Sequence, residues 1–253
     1  MPITYLRLLV AFLKAFWILF IQSRFLDPQA KRIAIQKWSA DTLTLLGISV
    51  ELVGPFDLTT TTHGRMLVSN HVSWLDPLVL QTLQHSIFVA KQEVSRWPVI
   101  GPIAKGCEVV FVNRGSPRSA RQMVQGISLA IAQGHCVAGF PEGTSSDGLE
   151  VGPFHSNLFE AAISHACEVV ALTLRYSDPV THALRAEPAF IGEIGFLESL
   201  HRVICAPPMV VKVIASEPLA SSGHNRRTLA QLAHSKVHAQ LKMLDGLNKV
   251  GID

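Results

Sequence analysis

Charge is scarce in this chain. Asp, Glu, Lys and Arg make up 16% of its 253 residues, where soluble domains carry roughly 25%. With 48% hydrophobic residues and a mean hydropathy of +0.30, the composition excludes a disordered chain, which needs high charge and little apolar surface. The net charge is only +3 and there is no block of Lys and Arg, which argues against a nucleic-acid partner. Paired cysteines are missing too. Cys107, Cys136, Cys167 and Cys205 form no Cys-x-x-Cys and have no histidine at zinc spacing, so they read as buried free thiols in a reducing compartment. There is no internal repeat and no low-complexity linker. The length fits one large domain or two small ones, with ample core.

What charge there is lies unevenly. Residues 1–50 hold Arg7, Lys14, Arg24, Lys31, Arg32 and Lys37 against Asp27 and Asp41, a local +4, which leaves the remainder at −1. The same region is the most apolar. Leu8 to Ile21 has Lys14 as its only charge. No small-residue cleavage site follows, which argues against a signal peptide. A spanning helix needs about 20 apolar residues, but Thr4, Arg7 and Lys14 fall close together on a helical wheel. That polar stripe favours a helix in the membrane interface, or a tilted insertion with a snorkelling Lys14, over a true span or a buried core helix. A second helix is expected from about Pro28 to Leu46, with Asp27 as cap and Gly47 as stop. The two together could form a helical hairpin on a membrane. The domain division is therefore 1–47, a membrane-binding helical hairpin, and 48–253, an α/β domain.

After Gly47 short β-branched runs alternate with helical stretches. Strands are expected at Ser49–Val53, Met66–Ser69, Ile87–Ala90, Val109–Val112, Cys136–Phe140, Val169–Leu174 and Met209–Ile214. Helices are expected near 77–84, 117–132, 156–166 and 226–244. Such alternation implies an α/β fold, here a mixed central sheet flanked by helices.

Three loops follow apolar strands and gather polar residues. Asn70-His71 leads to Asp76-Pro77. Five positions on a regular helix would turn His71 and Asp76 about 140° apart, so they meet only if the chain turns between them. Asp76 as helix cap and Pro77 as first helical residue supply that turn. The carboxylate would fix the histidine tautomer and leave the other ring nitrogen free to take a proton from a hydroxyl. The second loop, Phe111 to Gly115, offers Arg114, suited to holding an anion or to a solvated turn. The third is Phe140-Pro141-Glu142-Gly143-Thr144-Ser145-Ser146-Asp147-Gly148. Gly143 and Gly148 have P-loop spacing, but Leu149-Glu150 replaces the required Lys-Ser/Thr, which excludes nucleotide hydrolysis of that type. With no Gly-x-Ser-x-Gly elbow in the chain, Ser145 and Ser146 read as turn hydroxyls. His234 and His238 lack a third metal ligand and read as surface histidines.

In this order and spacing the three loops resemble the glycerolipid acyltransferase superfamily, and in particular the 1-acylglycerol-3-phosphate acyltransferase family. Asn70-His71 to Asp76-Pro77 resembles the first block of that family, Phe111–Gly115 the second and Phe140–Thr144 the third, which is the most distinctive. The strand at Val169–Leu174 is similar to a fourth, apolar block. The resemblance covers about residues 48–215, and the preceding helix pair is similar to the family's membrane-binding helices.

The resemblance implies O-acyl transfer without a covalent enzyme intermediate, in phospholipid biosynthesis. His71 would be the general base, oriented by Asp76. The activated hydroxyl of a lysolipid would attack the thioester of acyl-CoA or acyl-carrier protein, with backbone N–H groups stabilising the oxyanion. Asn70, Arg114, Glu142, Gly143 and Thr144 would bind or shape the acceptor. The resemblance implies neither cofactor nor metal, no nucleic acid, and a place at the cytoplasmic face of the inner membrane.

Two departures bear on the acceptor. The family's third block usually continues Arg-Ser, where this chain has Ser145-Ser146-Asp147; its later Pro-Phe-Lys is here Pro153-Phe154-His155. Each lost charge-assisted contact removes about 1.5–3 kcal/mol of phosphate binding. Besides lysophosphatidic acid, lyso-ornithine lipid is therefore an acceptor to consider. Thr144–Gly148 is similar to the branch that acylates it. A thioesterase using the same base on water, and a lipid-binding protein without turnover, are the readings from other classes.

Overall fold

The computed structural model describes residues 2–54, 58, 64–113 and 116–250. Its first helix, α1 (Pro2–Phe16), runs on through a π-helical turn at Trp17–Ile21 and a 3₁₀ turn at Gln22–Arg24. The second, α2 (Pro28–Leu45), starts as its sequence directs: Asp27 accepts from the Ala30 N–H at 2.8 Å and Pro28 opens the first turn.

The first helix carries apolar residues on two faces. Leu8, Ala11, Ala15, Ile18 and Leu19 are buried, Leu8 in one core with Leu43 of α2 and Ala15, Ile18 and Leu19 in another with Ile35 and Trp38. Leu6, Leu9, Val10, Leu13 and Trp17 point outward and are exposed. Trp38 ties the pair together by donating its indole N–H to the Ala11 carbonyl at 2.7 Å. Lys14 does not stand free to snorkel: it pairs with Asp41 of α2 at 3.1 Å. The buried-helix reading thus holds for one face only. Thr4–Arg24 is long and apolar enough to cross a membrane, with mean hydropathy 1.8, and a third of its best window (33%) is buried.

All seven expected strands are present: β1 (Ile48–Val53), β2 (Met66–Ser69), β3 (Ile87–Lys91), β4 (Val110–Val112), β5 (Val137–Gly139), β6 (Glu168–Ser177) and β7 (Met209–Ala215). A short β8 (Leu219–Ala220) pairs with the start of β6. The sheet order is β1-β7-β6-β2-β5-β3-β4. Strands β6, β2, β5, β3 and β4 are parallel, while β7 runs antiparallel to β6 and carries β1 with it. The sheet is mixed, as expected, and helices cover both faces.

Alternate residues of the central strands feed the two faces. Leu67, Leu172, Leu174 and Tyr176 pack with α2, with α3 (Asp76–Leu83) and with α7 (Phe196–Cys205). Met66, Val68, Val169 and Ala171 pack with α5 (Pro117–Ala132), α6 (Phe159–Ser164) and α8 (Arg226–Val250). Burial on both faces explains why β2 and β6 read as unbroken apolar runs rather than alternating ones. The helix expected over 156–166 divides into a 3₁₀ turn at Ser156–Leu158 and α6. Two further helices, α4 (Ile100–Gly106) and α7, lie where the sequence pattern promised none.

One consequence matters for chemistry. Five parallel strands end along the same edge, and the loops after the neighbouring strands β2 and β5 emerge side by side. Loops at the carboxyl ends of parallel strands are where open α/β sheets bind ligands.

Candidate active site

Asn70 is the first residue past β2, and it is turned into the sheet. Its side chain donates to the Leu174 carbonyl at 3.0 Å and accepts from the Leu174 N–H at 2.8 Å. Fully buried, it extends the β2–β6 pairing by one residue and fixes the direction in which His71 leaves the sheet.

His71 is held at every polar backbone position. Its N–H donates to Glu142 Oε1 at 2.8 Å, and its carbonyl accepts from the Ser146 N–H at 2.8 Å and hydroxyl at 3.2 Å. The imidazole stacks on Phe140, with ring centroids 4.2 Å apart and planes 15° from parallel. Nδ1 lies 2.7 Å from Asp76 Oδ2. The histidine side chain is 22% exposed and the aspartate wholly buried, so the pair has one dry end and one end open to a substrate.

Asp76 reaches His71 because the chain turns, though not in the way the spacing suggests. Asp76 is the first residue of α3, not its cap; Leu75 holds the cap position without a side-chain bond. The carboxylate reaches backwards instead. Oδ2 accepts from the N–H groups of Val72 and Ser73 at 2.7 and 2.9 Å as well as facing His71. Oδ1 accepts from the Tyr176 hydroxyl at 2.7 Å. Asp76 thus accepts from two main-chain N–H groups and a phenol while its Oδ2 faces His71 Nδ1.

The third loop closes over the histidine. Glu142 is buried, with Oε1 on the His71 N–H and Oε2 on the Gly152 N–H at 2.9 Å. Burial raises its pKa above the usual carboxylate value, while these two N–H groups act to lower it. Gly143 sits at φ +73°, a left-handed turn that a side chain would strain. Thr144 is exposed beside it. Ser145 donates its hydroxyl to the Phe190 carbonyl. The two serines that replace the family's Arg-Ser thus fasten the loop, as turn hydroxyls, to His71 and to the segment before α7. Arg114 and Gly115 lie outside the described residues.

Three remaining groups lie apart. The thiols of Cys107, Cys136 and Cys167 are pushed by burial to about 12, 11 and 11, so they are poor nucleophiles. Cys205 is exposed. His234 and His238 stack on each other, and His234 packs edge-on against Phe154; they are half-buried rather than surface groups. Among the described residues no group of three or more His, Cys, Asp or Glu is arranged to hold a metal ion.

Tyr176 was not legible as a site residue. It stands two residues past the expected strand end, and 100 residues separate it from Asp76. Its one sequence signal is a lone tyrosine ending an apolar strand, in a chain with two tyrosines.

Comparison with known proteins shows the family of the chain. The sequence model of the Acyltransferase family matches residues 51–175, which span β1 to β6. The chain is 32% identical over 186 residues to a 1-acyl-sn-glycerol-3-phosphate acyltransferase of Neisseria gonorrhoeae, covering 74% of this chain and 71% of that one. It is 31% identical over 228 residues to a lyso-ornithine lipid O-acyltransferase of Rhizobium meliloti, covering 85% and 77%. The fold is similar to the crystal structure of the acyltransferase PlsC from Thermotoga maritima, with a TM-score of 0.66, 18% identity, and 96% and 98% of the two chains covered. With these sequence matches over the loops that build the His71 site, the chain belongs to the glycerolipid acyltransferase family and is an acyltransferase.

Proposed function

We propose that the protein is a membrane-associated O-acyltransferase that moves a fatty acyl group from acyl-CoA or acyl-carrier protein to the hydroxyl of a lysolipid. The observation that carries this reading is the 2.7 Å contact between His71 Nδ1 and a fully buried Asp76. With Nδ1–H donated to Asp76, Nε2 is left unprotonated as the base. It takes the proton of the acceptor hydroxyl as that oxygen bonds to the thioester carbonyl carbon. The tetrahedral intermediate then expels the thiolate, and the imidazolium Nε2–H returns the proton to sulfur. Main-chain N–H groups of the surrounding loops serve the oxyanion.

Asn70 and Glu142 act in this scheme by aiming His71, because their polar atoms are spent on the main chain. Thr144 and Arg114 are left to contact the acceptor, with Gly143 shaping the turn beside it. Residues 1–47 serve as a membrane-binding helical hairpin on the 48–253 acyltransferase domain. The outward face of α1 is the surface that meets the cytoplasmic leaflet of the inner membrane.

The acceptor best supported is 1-acylglycerol-3-phosphate, the substrate class in the name of the Neisseria relative. A specific observation favours a second reading. Ser145 and Ser146 stand where an anion-binding arginine is usual, and their hydroxyls are engaged within the protein. Lyso-ornithine lipid is the acceptor in the name of the Rhizobium relative. The test is competition: both lysolipids are offered with an acyl thioester, and the acylated product is identified by mass spectrometry. Thiol release with no lysolipid present would instead mark a thioesterase.

A further inference from the structure

The Asp76 carboxylate is shared unequally. Oδ2 serves three donors, two of them main-chain N–H groups within its own turn. Oδ1 has one, the hydroxyl of Tyr176. That hydroxyl comes from a different part of the fold. Tyr176 lies on β6, next to β2 in the sheet, with its ring packed in the apolar layer under α2 and α3. It is 1% exposed, so no water stands ready to replace it.

We propose that Tyr176 is a positioning residue for the proton transfer, setting the rotation of the Asp76 carboxylate and its pull on His71. This rests on His71 being the base. Without the hydroxyl, Oδ1 would lose that donor inside a wholly buried carboxylate, which would gain by turning toward any other donor. A carboxylate that shares its charge with a phenol also holds an imidazolium less tightly than one that does not. Tyr176 therefore moderates the pull of Asp76 on the His71 ring. Burial and the Asp76 charge push the phenol well above 10, so it remains a donor across the working range. The titratable groups that face Asp76 among the described residues are His71, Glu142 and Tyr176.

Tyr176→Phe removes the hydroxyl and keeps the ring. The expected result is a folded enzyme whose kcat falls about tenfold to a hundredfold, the worth of a hydrogen bond to a charged group. KM for the lysolipid should hold. The acid limb of kcat/KM should move to higher pH, since losing a donor raises the carboxylate pKa and strengthens the hold on imidazolium. A merely structural role would leave that limb in place.

A second measurement covers a variant that fails to fold. Tyr5 and Tyr176 are the two tyrosines of the chain, so labelling a Tyr5→Phe background with 3-fluorotyrosine alters position 176 alone. The more acidic phenol is a stronger donor, and the acid limb should move to lower pH than in unlabelled Tyr5→Phe. An unmoved limb in both tests overturns the proposal. His71→Ala, assayed alongside, separates the two claims. If it is inactive while both Tyr176 changes are silent, only the role of Tyr176 fails. If it retains full activity, the base assignment fails.

Discussion

The side chain of Asn70 and the backbone of Leu174 exchange two hydrogen bonds, of 3.0 and 2.8 Å. A side chain thus stands in for one residue of strand, and the loop that carries His71 starts from a fixed point. Replacing Asn70 by Ala leaves a buried N–H and a buried carbonyl without partners. The expected cost is about 2–6 kcal/mol, from roughly 1–3 for each unsatisfied group. Activity should fall further than stability explains, because His71 loses its aim. Denaturant unfolding and thiol-release assays on the same preparation check both.

Glu142 gives a pH prediction with a definite sign. Burial raises its pKa in the folded state, so the fold binds this proton more tightly than the unfolded chain does. The associated stability is fully present below the unfolded value and is lost as pH rises through the folded one. Glu142→Gln removes that titration. The unfolding free energy of wild type minus that of the variant should therefore decline as pH rises above the ordinary glutamate value of about 4.3. A rise over the same range would show that the His71 and Gly152 N–H groups outweigh burial.

The outward face of α1 should bind lipid through single side chains. Leu9 and Leu13 are exposed, at 55% and 60%, so changing them does not disturb the core that α1 builds with α2. Burying a leucine in an apolar phase contributes about 1.5–3 kcal/mol. Leu13→Glu should weaken sedimentation with anionic liposomes at least tenfold and leave the melting temperature unchanged. Unchanged binding would move the membrane contact elsewhere.

Ser145 separates the two acceptors. Ser145→Arg restores the family's usual cation and loses the hydrogen bond to the Phe190 carbonyl. The loop should lose about 1 kcal/mol. Against that, competition between the two lysolipids should shift toward phosphatidic acid. A product ratio identical to wild type would mean that position 145 does not face the acceptor.

Much of this could be read from the chain, and the limits have physical causes. The central strands β2 and β6 were visible because burial on both faces makes each an apolar run bounded by turn residues. The His71–Asp76 pair was visible because Pro77 forces a turn between residues too far apart on a regular helix. The same local logic misplaced the start of α3 by one residue, because the Asp76 carboxylate bonds backwards to Val72 and Ser73. α4 was hidden by Gly101, Pro102 and Gly106, poor helix formers in a run of seven. Gly101 is required there, since a Cβ would meet the Ser95 carbonyl at 2.4 Å. Tyr176 was hidden because its partnership depends on β6 lying beside β2, a neighbourhood that local patterns do not encode.

His71 as the base is the centre of this account, and one assay tests it directly. Thiol release from acyl-CoA, or from acyl-carrier protein, is followed with and without lysolipid for wild type and for His71→Ala. Wild type should release thiol only with lysolipid present, matched by acylated product in the mass spectrum. His71→Ala should retain its fold and lose at least about a hundredfold in rate, the lower end for a positioned base. Full activity in His71→Ala would contradict the account.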